Sequence, residues 1–254
     1  MKVLTKTKIF LTVIIFVFHE VNRVTINHYL RSIRPMSTRP SILLTKLIST
    51  MKVFAIIISA LFIMGCSQKS TKKVLIQPYG DIEQSFVDEA KKSIEKTFGF
   101  NVYIAPRLEL PISSFVSVKT PRYRADSILD IQKKNKADTI DFIIGLTRMD
   151  ISTTKHDNDG NVLKPVSRYA DWGVFGLAHS PGGSSIVSIF RLGSSNNGIV
   201  LERLKKVCNH ELGHNLGLPH CTNSEKCVLR DAAESIRTVD NVADTLCNFC
   251  KNNI

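Results

Sequence analysis

The feature that most limits what this chain can become is one short stretch, His210-Glu211-Leu212-Gly213-His214-Asn215-Leu216-Gly217-Leu218-Pro219-His220. Positions four apart share one face of an α-helix. A helix here therefore turns His210 and His214 towards one point. Glu211 lies beside them, offset by about 100°. Gly217 ends that helix, because glycine adopts the left-handed conformation at least cost. Pro219 stiffens the chain that returns His220 as a third ligand. Three neutral imidazoles leave a tetrahedral zinc with one open position, which is the layout of a catalytic centre. Zinc lowers the pKa of a bound water towards ~7, and Glu211 is placed to take that water's proton as general base. The pattern is a zinc-site signature, far more demanding than a bare His-Glu-x-x-His.

The net charge of +12 over 254 residues invites a nucleic-acid or membrane partner. Its location argues otherwise. Residues 1–65 hold nine Lys/Arg against the single acid Glu20, leaving 25 basic and 21 acidic residues in the remainder. That remainder is only mildly basic and has no dense Lys/Arg run with interleaved aromatics, so no nucleic-acid partner is expected.

The front of the chain reads as an address. Met51 and Lys52 form a short basic start, and Val53–Met64 is a twelve-residue apolar run, too short to span a bilayer as a helix. Gly65-Cys66 follows. This resembles a bacterial lipoprotein signal over 51–65, with Cys66 as the lipidated residue and 66–73 as a polar tether. It implies a bacterial cell-envelope protein, held to the membrane by a lipid and facing the periplasm or exterior. Such a signal works at an N-terminus, so translation is expected to start at Met51, with residues 1–50 a non-native extension.

From Lys73 the pattern is α/β. Val74–Ile76, Asn101–Ala105, Asp141–Leu146 and Ser185–Arg191 read as strands. Ser85–Phe98, Arg124–Lys134 and Val200–Leu216 read as helices, from apolar residues three and four apart. The order suggests one mixed, twisted sheet carrying helices, a single domain over 74–254. The run Lys155–Asn161 faintly suggests a calcium loop, but an Asp/Asn/Gly turn explains it better. His156 and His179 are read as non-ligands, Trp172 and Phe175 as packing residues near the cleft, and Cys208 as a buried packing residue.

Cys221 follows His220 directly, and Cys227, Cys247 and Cys250 come after it. His-Glu-x-x-His-x-x-Gly-x-x-His-Cys, continued by a Cys-x-Leu and a Cys-x-x-Cys, resembles the archaemetzincins. Arg124-Ala125-Asp126, Phe175–Ala178 and Val187–Leu192 are similar too, so the resemblance runs from Val74 to Cys250. It implies a metzincin-like α/β (α+β) domain and a peptidase acting on peptides or proteins. It also implies two zinc ions, one catalytic on His210, His214 and His220, the other structural on the four cysteines of a small C-terminal segment. The chain departs from the family pattern twice. The family's methionine beneath the zinc is Leu229 here, of similar volume. Five residues (222–226) separate Cys221 from Cys227, where the family usually has four.

Read without the resemblance, two cysteine pairs fit a closed tetrahedral zinc site, and an exported chain also permits disulfides. A catalytically inactive zinc-binding lipoprotein shares the three histidines with an enzyme. Glu211 separates the two, since a pure binder needs no general base. A zinc-finger interaction module built on the cysteines alone would survive loss of His210.

Overall fold

In a computed structural model, residues 71–231 and 235–254 are described. The extension 1–50, the signal 51–65 and Cys66 lie outside them.

β1 (Lys73–Pro78) starts a parallel core that continues through β2 (Asn101–Ile104), β5 (Phe142–Thr147) and β9 (Ser184–Ser188). β8 (Gly176–Ala178) closes one edge, antiparallel to β9, in the order β2-β1-β5-β9-β8. Side chains alternate between the faces. On β9, Val187 joins the core beneath α1 (Gln84–Phe98) and α4 (Asn197–Asn215), while Ile186 joins the core beneath α2 (Ala125–Asn135). Every residue of β5 is buried, as expected of a central strand covered on both faces.

α1 buries Phe86, Val87, Ala90 and Ile94 along one stripe, each larger side chain contributing about 1.5–3 kcal/mol by leaving water. It stops where foreseen: Gly99 takes φ 67° and its N–H reaches Glu95 O.

One mixed sheet was expected, and there are two. The second runs β3 (Phe115–Ser117), β4 (Pro121–Arg124), β6 (Ile151–Thr153) and β7 (Trp172–Val174). Its strands of three or four residues are too short to show a period. The strand expected over Ser185–Arg191 ends at Ser188, where a turn closes with Leu192 N–H on Ile189 O. The remaining helices are short: α3 (Val166–Tyr169), α5 (Ile236–Asn241) and α6 (Asn248–Lys251). Asp157 Oδ1 accepts from the N–H groups of Asp159 and Asn161, so the suspected calcium loop is an Asx turn.

Candidate active site

The motif helix α4 is pinned on both sides of its histidines. Asn209, fully buried, donates through Nδ2 to Ser93 Oγ on α1 and to Asp244 O in the C-terminal segment. Asn215 donates to His179 O and Ser184 O in the β8–β9 connection. α4 then ends as the glycine predicts: Gly217 has φ 86°, and Leu218 N–H returns to Gly213 O.

That turn lets the chain orient its own imidazoles. His214 Nδ1 donates to Leu218 O, and His210 Nδ1 donates to Val228 O, both at 2.9 Å. With each proton on Nδ1, both Nε2 atoms carry lone pairs, and they face each other 3.0 Å apart. Two such acceptors cannot bond each other, so their approach fits a shared cation. His220 completes the set, its ring centroid 4.9 Å from that of His214 and 5.5 Å from that of His210. One nitrogen from each of the three falls within 4.8 Å of the others. Burial pushes the His210 pKa down to about 3, aided by His214, and burial lowers His214 as well. Both are thus held neutral, the form that binds a metal.

Glu211 is 5 % exposed, and its carboxylate lies against the backbone of β8. A Cβ on Gly176 would come 2.6 Å from Glu211 Oε1, so only glycine leaves room there. Burial raises the Glu211 pKa to about 8. A cation at the histidines would pull it back down.

Leu229, fully buried, stands where the family has methionine. Its two δ-carbons lie 3.0 Å from where a Gly213 Cβ would be, so it forms a floor beneath the helix between the two histidines.

The four cysteines come together as expected. Cys221 Sγ lies 3.7 Å from Cys247 Sγ, and Cys227 Sγ 3.8 Å from Cys250 Sγ. A disulfide needs about 2.05 Å. Four sulfurs about 2.3 Å from a tetrahedral zinc stand about 3.8 Å apart. The donor set therefore fits a metal, and the five-residue loop does not remove Cys227 from it. Backbone N–H from Cys250 draws the Cys247 thiol down, while burial pushes Cys227 and Cys250 up. Cys208 is fully buried in the main core and belongs to neither group.

The three histidines and Glu211 open on a cleft of about 1160 Å³ walled by β7, β8 and the chain after α4. Phe175 is buried beneath it, but Trp172 is only half-buried and faces it, more than the packing residue expected from sequence. The wall itself carries a charge network. Arg191 grips Asp150 with two hydrogen bonds of 2.6 and 2.7 Å, and Arg122 pairs with Asp150 and Asp171 at 3.3 and 3.5 Å. Arg191 lies on Gly173 of β7, where a Cβ would collide with its guanidinium. His179 is not drawn into the metal set; its Nδ1 meets Ser184 Oγ.

A model of Peptidase family M54 matches residues 71–254. The archaemetzincin of Halobacterium salinarum is 27% identical over 72% of this chain and 99% of its own. Two solved archaemetzincins are similar in structure. That of Archaeoglobus fulgidus, complexed with malonate, has a TM-score of 0.57 at 28% identity, covering 72% of this chain and 99% of its own. That of Methanopyrus kandleri has 0.58 at 27% identity, covering 73% and 94%. These relatives are archaeal, which overturns the bacterial cell-envelope address expected from the front of the chain. Among the described residues no helix is long and apolar enough to cross a membrane. The motif and the oriented histidines agree with the family match over the whole described region: the chain belongs to peptidase family M54 and is an archaemetzincin-family zinc metallopeptidase.

Proposed function

We propose that His210, His214 and His220 hold the catalytic zinc, that Glu211 is the general base, and that Cys221, Cys227, Cys247 and Cys250 hold a second, structural zinc. The observation that carries this reading is the pair of Nε2 atoms 3.0 Å apart, each with its Nδ1 proton committed to a carbonyl. When bound, zinc supplies a Lewis acid for the scissile carbonyl and acidifies the attacking water. Glu211 takes the proton from that water and delivers it to the leaving amine. Its apolar seat keeps the carboxylate basic enough to do so. β8 is an edge strand lining the cleft, so its outer N–H and C=O groups can pair with an extended peptide and hold it across the site.

The competing reading is a zinc-binding protein without turnover. Zinc per chain and peptide hydrolysis, measured together, separate the two. The unmodified chain should carry two zincs and the double variant His210→Ala/His214→Ala one. Glu211→Gln should keep two and lose about 10²–10⁴ in kcat. Turnover surviving Glu211→Gln would remove the general base, and zinc unchanged in the double variant would remove the histidine site.

A further inference from the structure

The cleft reaches well beyond the histidines, and its charges are unevenly matched. Among the described residues, the acidic ones lining it are Asp171 and Glu211. Glu211 sits against β8 beside the histidines, and Asp171, 2 % exposed, faces Arg122. Lys119 and Arg168 line the same cleft, and among the described residues no carboxylate stands within ion-pair distance of either. Lys119 Nζ instead donates to two backbone carbonyls, Arg168 O at 2.8 Å and Asp171 O at 3.4 Å. This ties the two cations to one corner.

The aromatic residues shape that corner. Trp172 stacks on Tyr169, with centroids 5.4 Å apart, and the Arg168 guanidinium lies 5.4 Å from the centre of each ring. Lys155 Nζ lies 4.8 Å from the Trp172 ring. The guanidinium held beside the two rings carries its N–H donors in a planar fork, the geometry that grips a carboxylate with two bonds.

We propose that Lys119, Arg168 and Trp172 form a carboxylate-recognition subsite, and that this peptidase prefers substrates presenting a carboxylate there. The proposal rests on the peptidase reading of the same cleft. The carboxylate has two possible sources, an Asp or Glu side chain and a free C-terminus.

Trp172 is the single tryptophan of the chain, so its fluorescence reads occupancy of the corner without any turnover. The test uses the full, zinc-loaded chain carrying Glu211→Gln, which leaves the peptide intact. It is titrated with an amidated peptide containing Glu, its Gln twin, and the Gln twin with a free C-terminus. A peptide presenting the carboxylate should bind about 10-fold more tightly than the amidated Gln twin, the size of a charge-assisted bond in a half-open site. Whichever carboxylate peptide gains names the source. The gain should vanish in about 0.5 M salt and in Arg168→Gln or Lys119→Gln, exposed positions that carry no buried packing. Equal binding of all three peptides, with cleavage by the unmodified chain intact, overturns the subsite and leaves the peptidase standing. An oligonucleotide that quenches Trp172 at lower concentration than any of the peptides also overturns it. No binding and no cleavage of any peptide by the two-zinc chain would take both readings down.

Discussion

The histidine and cysteine donor sets are adjacent in sequence, His220 beside Cys221, yet they face water in opposite ways. Along the histidine set, burial falls from His210 (4 % exposed) through the half-buried His214 to the exposed His220, and the set opens on the cleft. The cysteine set is wrapped by Leu218, Val228, Leu229 and Leu246, with three of its four members buried. Three ligands and an open side allow chemistry, whereas four thiols in an apolar shell exclude it. The two sets also share backbone: Val228, next to Cys227, orients His210, and Cys221 N–H bonds Leu229 O. The two sets are therefore coupled through the backbone around Val228 and Leu229.

The strongest way to break that comparison is Cys227→Ala. If the cysteines are scaffold, the variant should lose one zinc and on the order of 5 kcal/mol of stability, and catalysis should fall with the fold. Stability and activity surviving unchanged would reverse the assignment. Leu229→Ala attacks the shared floor and should cost about 2–5 kcal/mol in denaturant unfolding, with Leu229→Met staying under about 1.5 kcal/mol. Equal losses in the two would show that Leu229 does not carry the helix. Gly176→Ala touches only the open set: it should displace Glu211 and lower kcat about 10-fold, near 1.4 kcal/mol, with zinc content unchanged. A lost zinc would mean the strand positions the metal rather than the base.

The gentlest probe is pH, applied to the metal-free chain. His210 titrates near 3 when folded and near 6.5 when unfolded. Between those values the unfolded chain binds more protons, so stability falls as pH drops through that window. Glu211 titrates near 8 when folded and near 4.5 when unfolded. Its share therefore falls as pH rises from 4.5 to 8. Urea midpoints should peak where the two windows overlap, between about pH 4.5 and 6.5, and Glu211→Gln should flatten the limb above that overlap. An unchanged alkaline limb would show that Glu211 is not the group responsible.

Much of this was legible in the sequence because it is local. α1, α2, α4, β1, β2 and β5 each carry their period within one contiguous stretch, and the histidines and cysteines that the fold gathers stand at readable spacings. The second sheet was not legible, since strands such as Ile151–Thr153 and Trp172–Val174 show too few residues for alternation. Nor were the supporting residues. Asn209, Asn215, Gly176 and the Arg122–Asp150–Arg191 network act through partners 28 to 116 positions away. Two Asn flanking the histidines in the apolar-facing second half of α4 were the one available hint. The basic corner was invisible for the same reason: Lys119 and Arg168 meet only through folding.

The hydrogen bond from His210 to Val228 bears on the order in which the enzyme can come into being. A nascent chain that has emerged as far as His220 already holds every catalytic side chain. It still lacks the carbonyl that aims His210, and Val228 is itself tied to Thr245 O, just before Cys247 and Cys250. A chain stopped at His220 would therefore carry the three histidines and Glu211 without the carbonyl that aims His210, so translation has to pass Thr245 before the centre can take its final shape.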